Sequence, residues 1–187
     1  MKNNIEIVHL SGPSLSEEFF LSAAELVLRA NFNSARAGAQ FDKVVRQPRT
    51  QQALSAWVDS MIGSKEFHHD KKCFAVLIAK DAGKMIGIIQ VNQADDAHYS
   101  NQVALVCGLA IHPNYWGQGI AKQLLTEAEK FIKSLEVQKA VLKVDEDNSR
   151  AISLYLNQGW SRPSLDTLVT NNGRQVVYVA TLEKALT

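Results

Sequence analysis

The sequence predicts a mixed α/β fold, in which a mixed, mostly antiparallel sheet of six to seven strands carries about four helices on its faces. Three observations predict it. Strand-like runs at 73–80 and 85–91 flank the short loop Asp81-Ala82-Gly83-Lys84. Runs at 166–170 and 175–182 flank Asn171-Asn172-Gly173-Arg174, and Asn-Gly between strand-like runs is a strong hairpin signal. Between these hairpins, residues 102–144 read strand, amphipathic helix, strand, a unit whose strands run parallel with a right-handed crossover. Hairpins combined with such a unit give a mixed sheet covered by helices.

The elements follow in order. Residues 5–10 alternate as a first strand, which Ser11-Gly12-Pro13-Ser14 breaks. Ser14 or Ser16 caps a helix with Glu17 and Glu18 in its first turn, where the dipole favours acids. Its apolar face is Phe19, Phe20, Ala23, Ala24, Val27 and Leu28. Residues 31–49 are polar and irregular, and a loop of that length in a compact domain is often functional. Thr50 caps a second helix with Leu54, Trp57, Val58 and Met61 inward, and Gly63 ends it. After the 73–91 hairpin and a polar loop at 92–101, residues 102–111 are almost wholly apolar, as in a strand covered on both faces. His112-Pro113 stops it. From 118 to 134 the stripe Ile120, Leu124, Leu125, Ala128, Phe131, Ile132 and Leu135 has helical spacing. Residues 139–144 read as a strand. Residues 148–158 read as a short helix with Asn148 or Ser149 as cap and Gly159 as stop. The closing hairpin completes the order β-α-α-β-β-β-α-β-α-β-β, and its last strand could pair across a dimer axis.

Composition sets the broad class. The chain has 187 residues, 46% hydrophobic and 21% charged, enough for a core of its own. With no linker or repeat, residues 1–187 are expected to form a single domain. A net charge of +1, with Lys71-Lys72 the longest run of positive charge, argues against a nucleic-acid partner. The longest apolar run, 73–79, is far below the roughly 20 residues of a membrane span, so no membrane partner is expected. The opening Met1-Lys2-Asn3-Asn4-Ile5-Glu6 carries no apolar signal block, and a cytoplasmic location is expected. Cys73 and Cys107 form neither a disulfide framework nor a metal pattern, so no metal is expected.

The segment that carries chemistry is Ile111-His112-Pro113-Asn114-Tyr115-Trp116-Gly117-Gln118-Gly119-Ile120-Ala121-Lys122. A buried strand ends, two glycines follow and a helix begins. Glycines open backbone conformations closed to other residues. The helix start offers free N–H groups and the positive end of its dipole, an anion site sized for phosphate. A Walker loop needs Gly-Lys-Ser/Thr, which the chain lacks. A dinucleotide fingerprint needs Gly or Ala at position 122, which is Lys122, and should sit at the first strand of its fold. There remains a Gly-x-Gly loop built for a pyrophosphate, with Lys122 as its cation.

Two blocks resemble the GCN5-related N-acetyltransferase superfamily. One is Leu109-x-Ile111-x-Pro113-x-x-x-Gly117-x-Gly119-Ile120-Ala121, similar to that family's acetyl-CoA pyrophosphate loop. The other is Leu142-x-Val144-x-x-x-Asn148-x-x-Ala151-x-x-Leu154-Tyr155-x-x-x-Gly159-Trp160, similar to its following strand and short helix. The 73–91 hairpin, with Gly87 in its second strand, and the closing hairpin match the family's order, so agreement covers roughly residues 73–182. The family's loop often begins with Gln or Arg three residues before the first glycine, where this chain has Asn114.

The resemblance implies the acyl-CoA N-acyltransferase-like fold and acetyl-CoA as co-substrate. It implies that Leu109, Ala110 and Ile111 run beside the pantetheine arm, Leu109 and Ile111 offering main-chain groups as an added strand would. Gly117, Gln118, Gly119, Ile120, Ala121 and Lys122 would cradle the pyrophosphate, and Trp116 would cover that loop or face solvent. Gly108 hints at a bulge that parts this strand from the next. Asn148 would contact the cofactor arm or simply cap its helix. Tyr155 is the expected catalytic residue: attack of an amine expels a thiolate whose conjugate acid titrates near ~8.5, and a neutral phenol can donate to that sulfur. The family often places a carboxylate near the start of the central strand, where Gln102-Val103-Ala104-Leu105 has none. Glu66, Asp95, Asp96 and His98 lie in nearby loops, and Cys107 lies in the strand itself.

The implied activity is acetyl transfer from acetyl-CoA to a primary amine of a small molecule, by direct attack on the thioester in a monomer or homodimer. The alternatives are a protein N-terminus or lysine as acceptor, and a non-catalytic CoA-binding sensor. Fold similarity alone does not separate them.

Overall fold

The computed structural model describes residues 5–10, 17–31, 75–93, 103–146, 148–162, 168–171 and 176–186. Seven strands occur in the order β1-β2-β3-β4-β5-β7-β6. They are β1 (Ile5–Leu10), β2 (Ala75–Asp81), β3 (Lys84–Gln93), β4 (Val103–Ile111), β5 (Lys139–Asp145), β6 (Leu168–Asn171) and β7 (Val176–Ala185). Three α-helices are described: α1 (Glu17–Asn31), α2 (Ile120–Ser134) and α3 (Ser149–Asn157). The helix expected to start at Thr50 lies outside the described residues. The chain divides into two compact units, Met1–Gln90 with Gly108–Leu124 and Val91–Cys107 with Leu125–Thr187.

In the first unit β1 pairs antiparallel with β2, from Ile5↔Asp81 to Leu10↔Val76. The β2–β3 turn has only two residues, Ala82 at φ 47° and Gly83 at φ 80°, and two left-handed residues make the hairpin turn whose twist suits its strands. Leu77, Ile78 and Ala79 are buried in succession, as are Ile86, Ile88 and Ile89 around Gly87, so both faces of these strands are covered. Helix α1 packs Ala23 and Leu26 against Ile78, Ile88 and Ala110, with Phe19, Val27 and Ala30 alongside. Leu26 thus joins the inner face that the sequence assigns to its neighbours, completing the i, i+3, i+4, i+7 spacing from Ala23. Gly87 is a packing glycine: a Cβ there would meet Ile111 Cδ1 at 2.8 Å and Leu124 Cδ1 at 3.0 Å.

In the second unit β4 pairs parallel with β5, from Val103↔Lys139 to Val106↔Leu142. Ala140, Val141 and Leu142 are buried in succession. On its other side β5 pairs antiparallel with β7, from Lys139↔Ala185 to Asp145↔Val179. Strand β6 pairs with β7 from Leu168↔Val179 to Asn171↔Val176, and an isolated bridge joins Ser161 to Glu183. The last strand is therefore internal, with a neighbour on each edge, which corrects the expectation that it could pair across a dimer axis. Leu125, Ala128 and Ile132 of α2 are buried at helical spacing, as the stripe predicts. Helix α2 starts at Ile120 rather than at 118 because Gly119, at φ 78°, cannot be helical.

Candidate active site

The glycine segment is built from the end of β4. His112 N–H donates to the Ile86 carbonyl of β3 at 2.8 Å. Backbone groups alternate along a strand, so those of Leu109 and Ile111 turn to the opposite edge. Gly108, at φ 64°, interrupts β4 just before Leu109, where the sequence suggests a bulge. Trp116 folds back on this edge, and its Nε1–H donates to the Ile111 carbonyl at 2.8 Å. The tryptophan thereby fixes the strand end on which the following loop is built.

A 3₁₀ turn, Pro113–Tyr115, leads into the loop. His112 Nδ1 accepts from Asn114 N–H at 3.3 Å, which requires a neutral ring nitrogen. Its imidazole pKa is lowered by burial and then by the Arg29 charge, with Glu25 opposing. Tyr115 Oη donates to Asp81 Oδ2 at 2.8 Å, tying the turn to the end of β2. That bond, then burial and the Asp81 charge, raises the phenol pKa and keeps its proton in place. Gln118 Nε2 donates to the Asn114 carbonyl at 3.3 Å, so at the position where the family often has Gln or Arg the main chain of Asn114 braces the loop from within.

Gly117 and Gly119 have φ of 77° and 78°, and a Cβ at either would meet nothing within 4 Å. Their role is conformational: the left-handed turns cost other residues about 1–2 kcal/mol each. Gln123 N–H donates to the Gly119 carbonyl at 3.1 Å, the first bond of α2. The N–H groups of Ile120, Ala121 and Lys122 therefore have no acceptor within the helix. The first turn holds no acid, Lys122 is exposed, and Ile120 is buried beneath. This arrangement suits a diphosphate: open glycine backbone, aligned amides and a cation.

The other predicted residues lie in the second unit. Asn148 caps α3, its Oδ1 accepting from Ala151 N–H at 3.0 Å. Tyr155 is 8% exposed, and its pKa is pushed up to about 12, first by burial and then by the Cys107 charge. Its phenol is therefore neutral at any physiological pH. Cys107 follows the last β4–β5 pair, accepts from Asn92 Nδ2 at 3.6 Å, and has a thiol pushed up to about 11 by burial. A thiol so raised is a poor nucleophile, which argues against a covalent relay through Cys107.

Helix α3 ends in a way the sequence only partly announces. Gly159, at φ 82°, follows the last turn. Trp160 N–H donates to the Tyr155 carbonyl at 3.1 Å and Gly159 N–H to the Leu156 carbonyl at 3.0 Å, the two bonds of a Schellman stop. Trp160 is 3% exposed and packs its ring on Tyr155, centroids 6.1 Å apart. Its Nε1–H donates to Glu129 Oε1 at 2.9 Å. Lys184 Nζ reaches Glu129 Oε2 at 2.8 Å and the Gln158 carbonyl at 2.6 Å. Sequence reasoning missed Glu129 and Lys184. The available signal was Trp160 itself, since a buried indole N–H wants an acceptor. The loop residues Glu66, Asp95, Asp96 and His98 lie outside the described residues.

The acetyltransferase (GNAT) family model matches residues 39–160, well over half of the chain. The chain belongs to this family. An acetyltransferase of Sodalis glossinidius is 30% identical over 116 residues, covering 62% of this chain and 76% of that protein. An N-acetyltransferase of Staphylococcus aureus shares the fold at a TM-score of 0.66 and 17% identity, over 98% of this chain and 99% of that one. The PaiA N-acetyltransferase of Thermoplasma acidophilum, solved in complex with coenzyme A, matches at a TM-score of 0.60 and 19% identity, over 97% and 99% of the two chains. The acyl-CoA N-acyltransferase-like fold expected from the two sequence blocks is thus the fold of this family. Among the described residues, no helix is long and apolar enough to cross a membrane.

Proposed function

We propose that this family member transfers the acetyl group of acetyl-CoA to a primary amine of a small molecule by direct attack on the thioester. The observation that carries the reading is the open turn at Gly117 and Gly119 running into the N–H groups of Ile120, Ala121 and Lys122, for which the helix itself supplies no acceptor. The coenzyme A complex of the Thermoplasma relative supports coenzyme A as the diphosphate in question. In this reading residues 117–122 hold the pyrophosphate, with Trp116 bracing the loop. Leu109 offers its N–H and C=O, and Ile111 its N–H, to the pantetheine amides, with Ala110 between them turned into the core. Asn148 serves through its helix cap.

Tyr155 acts on the leaving sulfur. As the amine adds and the C–S bond breaks, negative charge gathers on sulfur while the nitrogen becomes cationic. A phenol at about 12 surrenders its proton to a thiolate of ~8.5 only uphill, by roughly 3–4 units or about 5 kcal/mol. The main contribution of Tyr155 is therefore hydrogen-bond donation to the developing thiolate. The proton that completes the free thiol comes in net from the attacking nitrogen, giving amide and coenzyme A.

Two measurements test the proposal. Acetyl-CoA at about a hundred times its Kd should raise the melting temperature by about 5–10 °C, and no shift at millimolar concentration would remove the donor assignment. Thiol release from acetyl-CoA, followed across amines, polyamines, aminoglycosides, amino acids and short peptides, identifies the acceptor. A peptide consumed faster than every small amine would replace the small-molecule reading, and binding without turnover on any acceptor would favour the sensor.

A further inference from the structure

We propose that Glu129 is a positioning residue for Tyr155, acting through Trp160 and balanced in charge by Lys184. The inference rests on the reading of Tyr155 given above and adds to it the residues that hold the phenol in place. Tyr155 sits in the last turn of α3, so the orientation of its ring depends on how that turn closes. The closing bond is Trp160 N–H to the Tyr155 carbonyl, and the ring packed on Tyr155 is that of Trp160. The ring contact depends on where the indole lies, and the closing bond fixes the main chain from which the indole projects. Packing restricts a buried indole to few rotamers and a bond to its N–H selects among them; the holder is Glu129 Oε1 at 2.9 Å, from α2.

A half-buried carboxylate serving one neutral donor would carry an uncompensated charge. Lys184 of β7 supplies the balance at 2.8 Å on the second oxygen. The same ammonium donates to the Gln158 carbonyl, three residues past Tyr155. Two elements remote in sequence, α2 and β7, thus converge on the closing turn of a third. The pair Arg29 with Glu25, by comparison, joins residues four positions apart on a single helix face. A simple structural bolt would need only the Glu129–Lys184 pair. The third bond, to the indole against Tyr155, is what extends its influence to the phenol.

The test uses the full chain with acetyl-CoA and the fastest amine of the acceptor panel. Glu129→Ala is expected to lower kcat about tenfold, with KM for acetyl-CoA changed less than about twofold. Glu129→Gln keeps an oxygen for the indole and should restore kcat to within about threefold of wild type. In a Tyr155→Phe background Glu129→Ala should lower kcat less than twofold, because its effect passes through the phenol. A readout independent of turnover is the NMR signal of the Trp160 indole N–H, together with the labelled Tyr155 ring. Both should shift in Glu129→Ala and stay in place in Glu129→Gln.

Equal losses from Glu129→Ala with and without the Tyr155 hydroxyl would overturn the proposal and leave a merely structural bond. Unmoved Tyr155 ring signals in Glu129→Ala would do the same. Should Glu129→Ala fail to fold, Trp160→Phe, which keeps the ring packing and removes the donor, takes its place in both comparisons. Loss of activity in Trp160→Phe that persists fully in the Tyr155→Phe background would then count against it. If Tyr155→Phe alone leaves kcat intact, it is the catalytic reading of Tyr155 that falls. The NMR comparison then still decides whether Glu129 orients the ring.

Discussion

Trp160 closes the helix that carries Tyr155 with its own backbone N–H, 3.1 Å from the Tyr155 carbonyl, while its ring lies 6.1 Å from the Tyr155 ring. One residue thus fixes both the main chain and the side-chain surroundings of the phenol. The closure requires Gly159 in the left-handed region at φ 82°, where the side chain of Lys184 comes within 3.8 Å of a Cβ placed there. Gly159→Ala is therefore expected to cost about 1–2 kcal/mol from backbone strain alone, read as a lower denaturation midpoint at unchanged slope. A cost near zero would mean that the turn is not held as described.

Tyr155→Phe removes one oxygen and leaves the packing. Turnover should fall about 10–100-fold while acetyl-CoA affinity stays within about twofold. Equal losses in both would assign the residue to packing. The phenol also makes an optical prediction. Its pKa of about 12 lies above the ordinary value of ~10, so ionisation of Tyr155 should be missing from the ultraviolet titration between about pH 9 and 11. Over that range the unfolded phenol ionises and the folded one does not, so Tyr155 makes stability fall as pH rises.

Gly119→Glu puts bulk and negative charge where the loop offers amides. The acetyl-CoA-dependent rise in melting temperature should vanish, whereas Gly119→Ala, strained but uncharged, should retain part of it. Retained affinity in the Glu variant would remove residues 117–122 from the pyrophosphate site.

Gly87→Ala crowds a closed core. A Cβ at 2.8 Å from Ile111 Cδ1 and 3.3 Å from Ala79 Cβ forces neighbours to shift, with an expected loss of about 1–3 kcal/mol in chemical denaturation. Wild-type stability in this variant would mean that Ile111 and Leu124 repack freely.

His112 gives the turn before the loop a pH dependence. Its folded pKa is lowered, so the unfolded chain takes up the proton first as pH falls. The stability it contributes is complete above the ordinary histidine range of ~6.5. It is lost as pH drops through that range toward the lowered folded value. The difference in melting temperature between wild type and His112→Gln should narrow on acidification, and a difference that does not change with pH would contradict the neutral Nδ1 acceptor.

Much of this was legible in the sequence because it is local. The first strand at 5–10, the hairpin around Ala82-Gly83, the stripe of α2 and the cap at Asn148 are all set by residues within a few positions of one another. The anion-binding turn was readable for the same reason: two glycines before an acid-free helix start define it. What escaped is the contacts between distant segments. Trp116 could be placed over the loop or in solvent, and only the fold supplies the Ile111 carbonyl as its acceptor. Glu129 and Lys184 read as two charges among many until β7 and α2 bring them together, 55 positions apart, around a third element. Leu26 lies beyond the α1 face that spacing alone assigns, because spacing defines a stripe but not the width that the packed strands cover.

The internal place of β7 bears on self-association. A ladder can be extended by a second copy only along a strand with a vacant side, and β7 is occupied by β5 on one side and by β6 and Ser161 on the other. The outermost strands in the order are β1, six residues long with Glu6 and His9 turned outward, and β6, with four. Short terminal ribbons are poor templates for strand addition, and β1 also carries the charge of Glu6. Among the described residues, self-association is therefore expected to favour contacts through side chains over shared peptide hydrogen bonds.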